Sequence, residues 1–427
     1  MAAQEVSNGH ALSDGQRPAT NSQSPGASLE DLDLKVLRLS TTASDYPLRN
    51  EECSTYHIYH KHEQHRCISA TIDPAKERWH GPTPKECKEK RQRRKLREEQ
   101  KKEGLTTVAT SASEADDGSF YLHTPYLAFH NPPRVLYMGS TKHCEPAVLI
   151  HDSLCWRKWK LQLGPSIAKP GVLDPRGVVS WRHNGGDSKA RKEDHTKLKG
   201  YKVRTWRLWG ETGKDFVHGI KTTRETGVGA DPDVLEDETQ AQKDAVKADE
   251  VVWLKWTSPF SLNTRRYHFQ YAGIDFYWKG TGTVKETRTC GFFVHFNHLK
   301  FVARLPIKSA ELEAKADSEV EVCLGKYTCS VAKKKSGTLE LFDGAILSLM
   351  SEHMSEILPG RSIREESNGD GDSDDTTSVH EFTAVKRTPL YQVIVATAMC
   401  MIIGEKQKRD TIRSIIEAAA SEGSAGS

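Results

Sequence analysis

The first residues to weigh as chemistry are Cys53-Ser54-Thr55-Tyr56-His57-Ile58-Tyr59-His60-Lys61-His62-Glu63-Gln64-His65-Arg66-Cys67. Imidazole and thiolate are the usual zinc ligands, so four histidines between two cysteines invite a metal reading. The spacing argues the other way. There is no Cys-x-x-Cys pair and no second ligand pair further along, so the expectation is a polar surface segment and no metal site. The acidic stretch around Asp231 and Asp233 lacks the spacing and terminal Glu of an EF-hand. The chain carries no Gly-x-Ser-x-Gly, no P-loop, no His-Glu-x-x-His and no dinucleotide fingerprint. His295 and His298 lie near Cys290 but read as sheet and turn residues. Without a mutually positioned acid, base or nucleophile there is no reaction class to name. The expectation is therefore a non-enzymatic protein with no catalytic residues and no cofactor.

Basic residues offer more. Lys85 to Glu103 is dominated by charge and reads as a solvated helix, and its core holds Lys90, Arg91, Arg93, Arg94, Lys95 and Arg97. Such a run fits a nuclear-import signal, and an anionic membrane surface would attract it equally. It lacks interleaved aromatics on which bases would stack, so no nucleic-acid partner is expected. A second basic set falls on strand positions expected to face outward: Arg265, Arg266, Lys279, Arg288, Lys300 and Arg304, with Lys158 and Lys160 earlier. Charged outer positions also serve solubility alone.

The elements that must position these residues are legible as period-2 alternation. Tyr267, Phe269 and Tyr271 alternate with Arg266, His268 and Gln270; Ile274, Phe276 and Trp278 alternate with Asp275 and Tyr277. Ala272-Gly273 between them suits a tight turn. Leu299, Phe301, Ala303 and Leu305 form another face, and Tyr327, Cys329 and Val331 another. Shorter runs at Arg134–Met138 and Pro146–Ile150 read as strands as well. Asn184-Gly185-Gly186-Asp187 ends a strand carrying Val179 and Trp181, and 187–199 reads as an exposed loop. Asp343 is placed as the cap of a helix whose Ile346, Leu347, Met350, Met354, Ile357 and Leu358 stripe packs on the outside of the sheet.

The last element is apolar all round. Thr388 is its N-cap and Pro389 its first residue. Val393, Ile394, Ala396, Thr397, Met399, Cys400, Ile402 and Ile403 cover every side, and Glu405-Lys406-Gln407-Lys408-Arg409 follows. The run from Val393 to Ile403 spans only about 16 Å, short of the roughly 20 residues a membrane crossing needs. Such a helix asks for a sheet wrapped around it.

The hairpin Arg266–Thr281 and the helix Leu390–Arg409 together resemble the tubby C-terminal-like superfamily, which includes tubby proteins, phospholipid scramblases and LURP-one-related proteins. The hairpin is most similar to tubby-like proteins of fungi. The resemblance implies a mainly β fold: a closed antiparallel β-barrel of about a dozen strands around a central hydrophobic C-terminal helix, closure removing every sheet edge. It also implies a leaning toward anionic phospholipid or phosphoinositide head groups, for which Arg265, Arg266, Lys279, Arg288, Lys300 and Arg304 are the candidate residues. The expected organisation is a disordered N-terminal arm over 1–118, a barrel over 119–420 with disordered insertions at 222–250 and 361–381, and a disordered tail at 421–427. The alternative function is a nuclear or regulatory module whose disordered arms bind proteins. Nine scattered cysteines fit a reducing compartment. With no apolar leader and no spanning helix, the chain is expected to be intracellular, cytoplasmic or nuclear.

Overall fold

The apolar run near the end of the chain forms a helix, and it lies inside a closed sheet. The computed structural model describes residues 53–61, 64–102, 118–127, 130–152, 157–202, 245–258, 265–280, 298–306, 319–330, 332–354 and 384–424, all within one compact unit, 39–427. Twelve strands are present: β1 (Cys53–Lys61), β2 (His65–Ser69), β3 (Phe120–His123), β4 (Arg134–Met138), β5 (Glu145–Asp152), β6 (Lys158–Leu163), β7 (Glu250–Thr257), β8 (Arg266–Tyr271), β9 (Ile274–Lys279), β10 (Leu299–Pro306), β11 (Glu319–Cys329) and β12 (Lys335–Phe342). Each pairs antiparallel with its neighbours in sequence, and β1 pairs with β12 to close the barrel. Among the described residues six α-helices accompany them: α1 (Pro74–Glu77), α2 (Pro84–Lys102), α3 (Pro165–Ala168), α4 (Ser188–Glu193), α5 (Asp343–His353) and α6 (Pro389–Ser424).

Inward residues of every strand meet α6 in one apolar cluster. It contains Tyr56, Leu122, Leu136, Ile150, Leu161, Leu254, Phe269, Trp278, Phe301 and Leu339 from the wall, with Val393, Ile394, Ala396, Met399, Cys400 and Ile402 from the helix. Ile403, at the end of the run, is half-buried. Thr397 is tolerated because its hydroxyl accepts from Trp278 Nε1 at 3.2 Å and donates to the Ile394 carbonyl at 2.9 Å, which satisfies a group that would otherwise be costly to bury. Thr388 caps α6 as expected, accepting from the Tyr391 amide at 3.4 Å. The β8–β9 turn is the tight one expected, with Ala272 at φ +48° and Gly273 at φ +80°, the left-handed pair such a turn demands.

The structure corrects several expectations. The segment 53–67 is not a polar surface segment of an arm. It supplies β1 and β2, with Tyr56 and Ile58 inward, so the barrel begins at Cys53 rather than at 119. The histidines hid an ordinary alternation of apolar and polar faces. Among the described residues no cluster of His, Cys, Asp or Glu is arranged to hold a metal. Residues 245–250 of the expected 222–250 insertion are ordered: Lys247 bridges to Lys197, Ala248 is buried and Glu250 opens β7. The segment 187–199 contains α4 and the fully buried Leu198. Val179 makes only an isolated bridge to Leu173, and Trp181 starts a 3-10 turn. With Ile167 and Val172 these residues cover outward Tyr121, Val135, Tyr137 and Leu149, so β3 to β5 are buried on both faces. Asp343 is the first residue of α5, not its cap, and α5 shares the central cluster through Ile346, Leu349 and Met350 instead of packing on the outer wall. Residues 421–424 continue α6. The arm at 1–52, most of the 222–250 insertion, Ile357 and Leu358, and all of 361–381 lie outside the described residues.

Because α6 is enclosed on all sides, truncating it leaves a cavity. Ile394→Ala should lower the free energy of unfolding by about 2–5 kcal/mol. Ile415→Ala, on the exposed part of the same helix, should change it by less than about 0.5 kcal/mol. Urea titration of both variants compares them, and equal effects would contradict the enclosed-helix reading.

Candidate functional site

The sequence-expected basic residues divide into two groups. Arg266, Lys279 and Lys300 stand in direct register across β8, β9 and β10, and the row continues to Lys326 on β11. Their neighbours Tyr267, Trp278, Phe301 and Tyr327 point into the core. Alternation therefore sets all four cations on the outer wall, on strands roughly 4.8 Å apart. Arg304 lies on the same face of β10, where its guanidinium stacks over the outward ring of Tyr277 at 4.5 Å. Arg266 approaches that ring at 5.5 Å, and His268 stacks on it at 4.7 Å between ring centroids. These five cations face three carboxylates among the described residues: Glu321, held by both Lys279 and Arg304 Nε; Asp275, in register with Arg304 and 2.8 Å from His268 Nε2; and Glu340, 3.2 Å from Lys326. Arg266 is exposed, whereas Lys300 in the middle of the row is buried.

Arg265 is a correction. Expected outward, it is 2% exposed and turns inward to Glu405 of α6. Its Nε approaches Glu405 Oε1 at 3.1 Å, an ionic contact rather than an aligned hydrogen bond. Tyr267 donates its hydroxyl to the same oxygen at 3.1 Å. Burial pushes the Glu405 carboxyl above its usual range, with Arg265 and Lys408 opposing. This pair ties the barrel wall to the point where α6 leaves it. Arg288 lies outside the described residues. Lys158 sits over Trp253 at 3.9 Å and Lys160 reaches the His195 carbonyl at 3.4 Å, both away from the row.

Comparison with family models, characterised proteins and solved structures finds no match to this chain.

The row lies near the end of the barrel from which α6 emerges, and that end is basic beyond it. Arg409 Nη1 lies 3.7 Å from Cys329 Sγ at the end of β11. His60 is pushed down to about 3, first by burial and then by the positive charge of Arg66, Lys406 and Lys334. Ser336 Oγ is 3.0 Å from His60 Nε2, the outline of a serine–histidine pair. An imidazole so reluctant to take a proton is a poor general base near neutral pH. Lys335 is committed to Glu77, at 2.7 Å, and to His57 Nδ1 at 3.0 Å.

Lys90, Arg91, Arg93, Arg94 and Lys95 are exposed on α2, and Arg97 continues the same helix. A capping box fixes the start of α2: Glu86 accepts from the Thr83 amide at 2.7 Å, and its own amide donates to Thr83 Oγ1 at 3.3 Å. A separate cleft of about 390 Å³ opens on the covered side of β4, lined by Tyr137, His143, Cys144, Lys169 and Asp174. Its acid is already engaged, because Asp174 accepts from Arg176 Nε at 2.6 Å. Sequence reasoning missed Lys326. Alternation within β11 marks it as outward, but only strand register reveals it as the end of a row.

Glu321 gives the row a pH signature. Burial raises its carboxyl, but the hydrogen bonds and charge of Lys279 and Arg304 hold it below its ordinary 4.5 overall. A depressed folded value contributes stability that is present above the unfolded value and is lost as pH falls through the folded one. Urea unfolding from pH 7 downward should show wild-type stability declining below about pH 4.5, and Glu321→Gln declining less steeply. Identical acid limbs would show that Glu321 does not respond to its two partners.

Proposed function

We propose that the chain is a non-enzymatic, tubby-like barrel module that docks on anionic phospholipid membranes, with phosphoinositide head groups as candidate ligands. The carrying observation is the row Arg266–Lys279–Lys300–Lys326. Like charges directly opposite on neighbouring strands oppose sheet formation, so a fold selected for stability alone gains nothing from four in succession. An anionic surface offsets that repulsion. Further support comes from the exposed cations of α2 and from the basic barrel end around Lys334, Lys406 and Arg409. A twelve-strand barrel around a C-terminal helix also agrees with what the tubby-like resemblance implies.

Each basic residue near an anionic surface contributes about 1 kcal/mol, close to a fivefold change in partitioning. Co-sedimentation of the full chain with neutral, phosphatidylserine and phosphoinositide vesicles should show binding to the anionic sets alone. The double variant Arg266→Gln, Lys326→Gln should bind roughly 25-fold more weakly on the same scale, and Glu321→Gln should bind more tightly. Absence of binding at low salt would overturn the reading and leave α2 as a protein-docking or import segment.

A further inference from the structure

We infer that the connector between β2 and α2 is an insertion loop, with Trp79 as the side chain that enters the interfacial layer of an anionic membrane. The inference rests on the docking reading above and names a different contact within it. Trp79 is 54% exposed and Ile72, on the same connector, is 61% exposed. A single exposed apolar side chain needs no explanation. Here the exposure is enforced by a rigid anchor. The Asp73 amide donates to the Tyr59 hydroxyl at 2.9 Å, that hydroxyl donates to Glu77 at 2.7 Å, and Lys335 holds the same carboxylate. Asp73 also caps α1, accepting from the Ala75 amide at 3.2 Å. Beyond α1, the Trp79 carbonyl accepts from the Lys333 amide at 3.1 Å, and Arg78 pairs with Glu86 of α2 at 2.9 Å. Backbone and polar groups are thus fastened on both sides of Trp79 while its ring is left in solvent.

The surroundings select the occupant. Arg78 and Lys333 are exposed beside Trp79, Gly81 lies against Lys334 and α2 begins five residues on. This is also the end of the barrel reached by the cationic row, since β11 continues only three residues past Lys326, about 10 Å of strand. An apolar pocket on a partner protein would bury Trp79 but would have to match a wide field of positive charge. A membrane carrying anionic head groups over an apolar layer meets both demands. Indole is the ring that favours the boundary between them, apolar in body and polar at one edge.

The test uses the full chain with vesicles of phosphatidylcholine alone, or with phosphatidylserine added, at low and physiological salt. Trp79→Ala should weaken partitioning to the anionic vesicles about tenfold while leaving its salt dependence unchanged, because no charge is altered. Trp79→Phe should retain most of the affinity. Brominated acyl chains should quench part of the wild-type fluorescence, and less of it in Trp79→Phe. Trp79 is 54% exposed and lies outside the apolar core clusters, so both variants should keep the wild-type circular dichroism. Wild-type binding with unchanged binding by Trp79→Ala would overturn the insertion loop and leave the docking reading intact. Failure of the wild type to bind either vesicle would overturn both.

Discussion

Everything in this structure depends on keeping the first half of α6 out of water. A helix apolar on all sides has no exposed face to offer, so the sheet has to surround it and then close, leaving no unpaired edge. Two buried polar clusters set its axial position. At the entry, Tyr391 donates to Asp343 at 3.0 Å and lies 3.1 Å from the Tyr56 hydroxyl, with Ser54 donating to the same carboxylate. At the exit, Glu405 takes the hydroxyl of Tyr267 and the charge of Arg265. Sliding the helix by a turn would strand one of these clusters without partners, at the cost that buried unpaired groups carry. Apolar contact makes the helix central, and the polar pairs at its two ends give it one register.

The same clusters explain what could be read from the sequence and what could not. The uniform apolarity of Val393 to Ile403 announces a surrounded helix, and the alternation from Arg266 to Lys279 announces the hairpin, because both signals are local. β1 was concealed by composition. His57, Tyr59 and Lys61 face outward and make the segment look like a metal-binding stretch, although Tyr56 and Ile58 carry the inward pattern. Arg265 and Arg266 are adjacent in sequence and opposite in fate. One reaches Glu405, 140 positions away in the numbering, and the other faces solvent. Period-2 alternation does separate them, since Arg265 shares the inward parity of Tyr267; what stays hidden in the sequence is Glu405, the partner that makes an inward arginine tolerable. The two-sided burial of β3 to β5 was likewise invisible, since Val179, Leu198 and Ala248 come from segments that look polar along their length.

Register converts scattered basic residues into one row. Alternation assigns Lys279, Lys300 and Lys326 to outer faces one strand at a time. Only the pairing of β9 with β10 and of β10 with β11 sets them side by side. The neighbouring pair on the same wall shows the arrangement that would favour the fold by itself, since Lys326 faces Glu340 across β11 and β12 and gains an ion pair. Alternating signs across β8 to β11 would have extended that favourable pattern. The chain instead holds one sign across four strands in this row and takes relief from beside it, where Asp275 and Glu321 stand on either side of Arg304 and Glu321 also holds Lys279.

That choice has a directional consequence. Coulomb attraction from exposed cations fades within about 10 Å at moderate salt, so on the docking reading charge alone would draw the barrel toward an anionic surface without fixing which side lands. Orientation needs a contact that acts at shorter range and at one place. The wall row lies on one side of the barrel, the connector carrying Trp79 crosses the same end, and α2 leaves from that connector. The opposite end is occupied by the burial of Tyr391 against Asp343 and the packing of α5. On the docking reading, long-range attraction and the exposed indole of Trp79 would therefore act on the same end of the molecule. With α6 held along the barrel axis, that end is also the one from which its exposed half extends.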